Sequence, residues 1–580
     1  MRRRTEEGRA REAAPGPPIG AGEGAGSGHR PTEGGWHPGR PSTAALLTVL
    51  VSLAVVIFIR LRLADVPLER DEGEYAYAGQ LILQGVPPYQ LVYNMKFPGV
   101  YYAYAAILAV FGQTPAGVHT GLLVVNAATI LLVFLLGRRL LGDPAAALSS
   151  ATFALMSVDY WILGLFAHAT HFVLPPVLGG ILMLLRAFEK RRPLSFVCAG
   201  ALLGAAVLMK QHAIFFLPLG VALVLWNDLR GEGDGPRAAT AALALMGGGL
   251  VLVFGGLAVF LAAQGVLAKF WFWTFQYARE YVSEMPPSLA ALWLGRGIST
   301  ITTSSFPLWI LSLGGLAALW AGEWSGRARA VLTGLFVTSL MAICPGFYFR
   351  PHYFILVLPA AALLVGVAVV SAERSLSGIL GARRALSLSL SLFLLAWGYC
   401  LWDQRGSFFV WTPRAVSNGR YEFNLFVDAE EVGGYIRSHS LPSDRIAVLG
   451  SEPEVYFYAR RISATGYIYT YPLMERQKYA SWMQGEMIRE IEEAHPEFVV
   501  FFKIQGSWAK QKSSDTRILD WGYRYVQQCY DLIGVADMVS RSRTVYVWGE
   551  KAEANTPVSD SLILVFRRKS GAPCAVPRGR

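Results

Sequence analysis

Residues 98–111 read PGVYYAYAAILAVF, and whether this stretch crosses a bilayer decides how the whole chain is threaded. Its fourteen residues, at 1.5 Å rise each, reach only ~21 Å, short of the ~30 Å hydrocarbon core. Tyr101, Tyr102 and Tyr104 suit the headgroup level, where amphipathic rings anchor. The stretch is therefore read as a helix lying along the outer surface of the membrane. Outward from it, apolar runs at 44–62, 117–136, 145–164, 171–188, 194–209, 213–229, 239–262, 301–320, 330–344, 353–371 and 385–402 give eleven expected spans. With the N-terminus inside, the inward loops then carry thirteen Lys and Arg residues, among them Arg138, Arg139, Arg191 and Arg192, against seven in the outward loops. Counting 98–111 as a span would invert every later loop and reverse the positive-inside bias.

Composition agrees with a membrane protein. Of 580 residues, 53% are hydrophobic and only 16% charged, against about a quarter charged in soluble domains, which excludes a single water-soluble globule. The net charge of +11 is spread over loop after loop with no aromatic-interleaved basic stripe, so nucleic acid is not an expected partner. Residues 1–42, dense in Gly, Pro and Arg, read as a disordered, basic cytoplasmic tail. Residues 43–59 lack a small-residue cleavage site and run into Arg60 and Arg62, which favours a retained span over a signal peptide. Five widely spaced cysteines indicate neither a disulfide framework nor a zinc motif.

Beyond residue 402 charged residues and turn signals return. RIAVLG (445–450), PEFVVFF (496–502) and RTVYVWGE (543–550) read as strands. SEPEVYFYARR (451–461) reads as a helix opened by a Ser-x-x-Glu capping box, and a further helix is expected over about 475–494. Residues 403–580 are thus expected to form a soluble, extracytoplasmic α/β domain.

Chemistry is expected where charge meets the membrane boundary. The first outward loop holds LERDEGEYAYAGQLILQGVPPYQLVYNMKFPGVYY (68–102). Asp71, Glu74, Tyr75 and Ala78 fall on one face of a helix, with Glu72 about 100° round from Asp71. The positive end of the helix dipole would keep Asp71 ionised and able to accept a proton; the plain alternative is that these acids cap a surface helix. Lys96, Lys210 and Arg350 each sit beside a boundary, as phosphate ligands or as side chains snorkelling to headgroups. His168 and His171, spaced His-x-x-His, suit a metal or a polar pocket wall. Trp271, Trp273, Tyr277 and Tyr281 suit sugar stacking or an aromatic belt, and Asp159 and Tyr160 are placed near the same cavity.

Asp71-Glu72-x-Glu74-Tyr75, Pro87-Pro88-Tyr89 and Lys96-Phe97-Pro98, followed by the Tyr-rich helix, resemble the first extracytoplasmic loop of glycosyltransferase family 39, which includes protein O-mannosyltransferases and lipid A aminoarabinose transferases. The resemblance covers about 44–402. It implies a mainly α, polytopic GT-C-type transmembrane domain followed by the C-terminal α/β domain. It also implies transfer from a polyprenyl-phosphate-linked sugar donor with Asp71 as general base, Glu72 as its acidic neighbour and Lys96 near the donor phosphate, although Lys-Phe-Pro-Gly replaces the family's Lys-Pro-Pro. Arg350-Pro351-His352-Tyr353, with Pro359 beyond, is similar to the entry of a late span in these enzymes.

The expected function is that of a cell-membrane glycosyltransferase acting with inversion on a hydroxyl of a protein, lipid or glycan acceptor. Asp71 is its expected catalytic residue, and Glu72, Glu74, Lys96, Lys210, Arg350, His352 and Tyr353 its expected substrate ligands. No cofactor is expected to be required, although related oligosaccharide transferases depend on a divalent metal. The competing reading is a transporter or flippase for a lipid-linked or amphiphilic solute, with Asp71 and Glu74 as proton or ion sites; no internal repeat supports it.

Overall fold

The computed structural model describes residues 39–231, 233, 235–421 and 425–570; nearly all of the expected N-terminal tail lies outside the described residues. The chain begins with α1 (Thr43–Arg62), opened by the Ser42 hydroxyl, which accepts from the Ala45 N–H at 3.2 Å. Next come α2 (Arg70–Leu83), α3 (Gly99–Phe111), α4 (Pro115–Leu141), α5 (Asp143–Met156), α6 (Ala169–Lys190), α7 (Pro193–Met209), α8 (Leu217–Leu229) and α9 (Pro236–Ala263). Seven helical stretches among the described residues are long and apolar enough to cross a membrane: α1, α4, α6, Gln211–Leu229, α9, Pro351–Leu380 and Ala382–Asp403. The segment 98–111 forms the 13-residue α3, ~20 Å long at the α-helical rise and thus too short to cross alone.

The other expected spans take different forms. Pro287–Thr302 and Phe306–Ala321 meet at 110°, so the run at 301–320 is a bent pair, an eighth span at most. The runs at 194–209 and 330–344 are helices of 17 residues, α7 and Gly326–Ala342. The run at 145–164 is helical only to Met156. There the Asp159 carboxylate accepts from the Trp161 and Ile162 N–H groups at 2.7 and 3.3 Å and closes a turn. Buried Arg60 donates into the same turn, to the Ser157 and Gly164 carbonyls at 3.1 and 2.9 Å. The apolar side chains beyond Met156 therefore belong to a packed turn.

Past Asp403 lies a six-stranded sheet, ordered β2-β1-β3-β6-β4-β5: β1 (Arg445–Leu449), β2 (Ile462–Ser463), β3 (Phe498–Lys503), β4 (Tyr530–Ser540), β5 (Arg543–Trp548) and β6 (Leu562–Arg568). β2, β1 and β3 run parallel, Ile446 lying opposite Phe498, and the remaining pairings are antiparallel. The expected capping box does not form. The helix there is Glu454–Ala459, beginning after Pro453 with no side-chain cap, because the Ser451 hydroxyl pairs with Thr470 at 3.0 Å instead. Cys529 is disulfide-bonded, although no disulfide framework is expected from the cysteine spacing.

The sheet domain is fastened to α2. Arg70 Nη2 lies 2.8 Å from Glu452 Oε1, the Ser463 N–H donates to the Tyr77 hydroxyl at 2.8 Å, and Gln80 donates to the Phe457 carbonyl at 3.2 Å. At Gly73 a Cβ would stand 2.7 Å from the Glu454 backbone nitrogen, so only glycine lets the two backbones approach this closely.

Candidate active site

The first turn of α2 is fixed by a reciprocal cap. The Glu69 side chain accepts from the Glu72 N–H at 3.0 Å, and the Glu72 side chain accepts from the Glu69 N–H at 3.1 Å. This sets Asp71 at the helix N-terminus, 27% exposed, on the wall of a cavity of about 1260 Å³. Lys96 reaches it from the loop after α2, its Nζ 2.7 Å from Asp71 Oδ1 and 2.6 Å from Glu74 Oε2, 4.5 Å above the Tyr75 ring. The Pro-Pro-Tyr turn holds that loop: Tyr89 has φ 65° and donates to the Lys96 carbonyl at 2.7 Å. On the other side His168 Nδ1 lies 3.6 Å from Asp71 Oδ2 and 3.5 Å from Glu69 Oε1. Its ring stacks on His352 at 4.1 Å and 14°. Lys210, over the Tyr353 ring at 4.6 Å, and Arg350, over Tyr348 at 5.5 Å, line the same cavity.

Charge follows from this packing. Burial opposes ionisation of Asp71, but Lys96, His168 and His352 outweigh it and hold its carboxyl well below the usual range. Burial likewise works against the Lys96 ammonium, and Asp71 and Glu74 more than restore it. Glu69 is pushed well above its usual value by burial and then by the charges of Asp71 and Glu72. Lys210 is pulled down to about 7 by burial.

Comparison with known proteins gives three kinds of likeness. Residues 95–254 match the family model described as dolichyl-phosphate-mannose-protein mannosyltransferase. An undecaprenyl phosphate-alpha-4-amino-4-deoxy-L-arabinose arabinosyl transferase of Pseudomonas aeruginosa is 28% identical over 348 residues, which are 56% of this chain; the match spans 60% of that relative's own length. ArnT from Cupriavidus metallidurans, solved bound to undecaprenyl phosphate, superposes with a TM-score of 0.56 at 14% identity, covering 90% of this chain and 98% of that one. The oligosaccharyltransferase AglB from Archaeoglobus fulgidus does so at 0.52 and 13% identity, covering 91% and 76%. The chain has the fold of the GT-C membrane glycosyltransferases. It is a multi-pass membrane protein.

Within this GT-C fold, Asp71, Lys96, Lys210, Arg350, His352 and Tyr353 meet at one cavity. Glu72 and Glu74 stand behind its wall. Glu72 is buried against α4 and the turn before α6, 3.0 Å from His119 Nε2 and accepting from the Ala167 N–H. Glu74 is buried between Lys96 and the Tyr101 hydroxyl. Both shape the site from inside, and neither lines the cavity, where a substrate ligand was expected. Of the His-x-x-His pair only His168 lines the cavity; His171 is buried in α6. Asp159 is spent on its turn and on Gln404, 3.0 Å away, and Tyr160 does not line the cavity either. Tyr277 and Tyr281 do line it, whereas Trp273 is buried against Tyr93 at 5.5 Å and Trp271 is exposed.

Sequence reasoning missed the wall contributed by the sheet domain, including Tyr469, Tyr471 and Glu475; the Tyr-rich run GYIYTY (466–471) was its one available signal. Asp71, His168 and His352 also bring one ligand atom each within 4.8 Å of one another, close enough for a divalent cation. Such an ion would sit beside the Lys96 ammonium, which already neutralises Asp71.

Proposed function

We propose that this protein is a glycosyltransferase that moves a sugar from a polyprenyl-phosphate donor to an acceptor hydroxyl on the outer face of the membrane, with inversion. The observation that carries the reading is a carboxylate held ionised at a cavity wall that also presents Lys210 and Arg350, two cations with no carboxylate within 4.0 Å among the described residues. Asp71 takes the acceptor proton, the hydroxyl oxygen attacks the anomeric carbon, and the departing phosphate gains its charge against Lys210 and Arg350.

Lys96 links the two halves of this reaction. While it is paired to Asp71 the carboxylate is a weak base; an anionic donor entering the cavity competes for the ammonium, and each step of that release makes Asp71 more basic. Donor binding would thus activate the base. The reaction as written requires no metal. The transporter reading loses support because Glu74, one of its two ion sites, is sealed between Lys96 and Tyr101.

The outward orientation of Asp71 and the sheet domain is inferred from the charge bias of the loops along the sequence. The acceptor, a protein, lipid or glycan, would meet the sheet domain as it approaches. The test is incubation of the purified protein with undecaprenyl-phosphate-linked sugars and an envelope extract as acceptor. Release of undecaprenyl phosphate is expected; the absence of both release and binding for every such lipid would overturn the reading.

A further inference from the structure

The cavity wall built by the sheet domain carries one carboxylate, Glu475, that the reaction above does not use. Tyr277 donates its hydroxyl to Glu475 Oε2 at 2.6 Å, and among the described residues no hydrogen bond reaches Oε1. Tyr277 and Tyr281 are four residues apart in the helical stretch Phe272–Val282, so they share a face and are separated by one turn, ~5.4 Å along the axis. Tyr281 in turn stacks on Tyr348 at 5.1 Å and 21°, and the Arg350 guanidinium lies over that same Tyr348 ring at 5.5 Å. Arg350 and Glu475 thus line one cavity, and the Arg350 charge is near enough to act on the Glu475 carboxylate.

We propose that Glu475 is a specificity-determining residue that accepts a hydrogen bond from a hydroxyl or amino group on the far side of the transferred sugar when the donor phosphate rests on Arg350 and Lys210. The assignment rests on the transferase reading and adds to it that the sheet domain, lying beyond the 95–254 family match, takes part in choosing the donor. The chemistry suits the task. A carboxylate oxygen fixed by a phenol accepts from a sugar donor group at a set angle and rejects a ring that lacks one, because a bound ring that shuts the half-buried carboxylate off from water then leaves its oxygen unpaired. Burial raises Glu475 to about 7, so near neutrality this group both accepts and, once protonated, donates.

Binding of bare undecaprenyl phosphate is compared with binding of its mannose, glucose and 4-amino-4-deoxyarabinose conjugates, using the full-length protein in lipid nanodiscs. The wild type is expected to prefer at least one conjugate over the bare lipid. Glu475→Gln should lose about tenfold of that preference, equivalent to about 1.4 kcal/mol, while its affinity for bare undecaprenyl phosphate stays unchanged. Tyr277→Phe, which frees the carboxylate without removing it, should lose a smaller part of the preference and again leave the bare lipid unaffected. Arg350→Ala should weaken all four lipids together. An unchanged preference in both Glu475→Gln and Tyr277→Phe overturns the assignment while the transferase reading stands. A wild type that binds none of the lipids overturns both.

Discussion

Replacing Asp71 by Asn removes the proposed base and little else, and the packing around it sets the expected size of the effect. A positioned general base contributes about 10²- to 10⁴-fold, so kcat/KM for sugar transfer should fall by that factor, about 2.7 to 5.4 kcal/mol at 1.36 kcal/mol per decade. Breaking a buried ion pair ordinarily costs about 3–5 kcal/mol because the surviving charge is left alone. Here the survivor, Lys96, keeps Glu74 at 2.6 Å, and the amide oxygen of the substituted side chain still accepts from it. The variant should therefore reach the membrane at normal levels and unfold within about 1 kcal/mol of wild type. The assay is undecaprenyl phosphate release by protein in nanodiscs, run beside a thermal unfolding scan of the same preparation. Glu74→Gln is the matched control: it takes the other carboxylate from Lys96 and leaves Asp71 in place, so it should cost more stability and less activity than Asp71→Asn. Turnover by the Asn variant within about threefold of wild type would remove Asp71 from the mechanism, since a positioned base is worth far more than that.

Lys210 is charged below about 7 and neutral above it, while a phosphodiester donor stays anionic throughout. Donor Kd should thus rise above pH 7, by at most ~10-fold per pH unit, and Lys210→Arg, which stays charged, should reduce that rise; identical profiles for Lys210→Arg and wild type would refute the role. Gly73→Ala puts a methyl 2.7 Å from the Glu454 nitrogen and should destabilise the seam with the sheet domain by about 1–3 kcal/mol, read as faster proteolysis of residues beyond 403. Dialysis against EDTA should leave transfer intact, and loss restored by a divalent ion would place a metal on Asp71, His168 and His352. An impermeant maleimide applied to intact cells should label Ser513→Cys in the sheet domain and spare Arg383→Cys; the reverse pattern would invert the topology.

What could be read from the sequence was whatever is local along it. Asp71 and Lys96 lie in one quoted loop, 25 residues apart, and the residue types that pair there were visible together. The short reach of residues 98–111 followed from rise per residue alone, and α3 has that length. Span ends were harder, since a hydropathy run counts apolar side chains and does not see where the backbone turns; Asp159 ends α5 by hydrogen bonds that an apolar window cannot register. β4 is hard to read from sequence because Asp531, Gly534 and Asp537 interrupt it, residues depleted in strands. Asp537 is tolerated because it accepts from the Val558 and Ser559 N–H groups at 2.6 and 3.1 Å.

The site itself shows why the remainder was out of reach. His168 and His352 are separated by most of the membrane domain and meet ring on ring only because α6 and the Pro351 entry are neighbours in space. Helical geometry did put Glu72 off the face of Asp71, yet periodicity gives a direction and not what lies in it. His119 and the Ala167 N–H lie there, and they make an expected substrate ligand a buried brace. That brace holds Ala167, the residue before His168, so it fixes the imidazole against Asp71 from behind. An acidic pair adjacent in sequence has thus been divided by packing into one group that lines the cavity and one buried behind its wall. The division depends on one distant side chain and one distant backbone N–H, and no spacing within the loop encodes it.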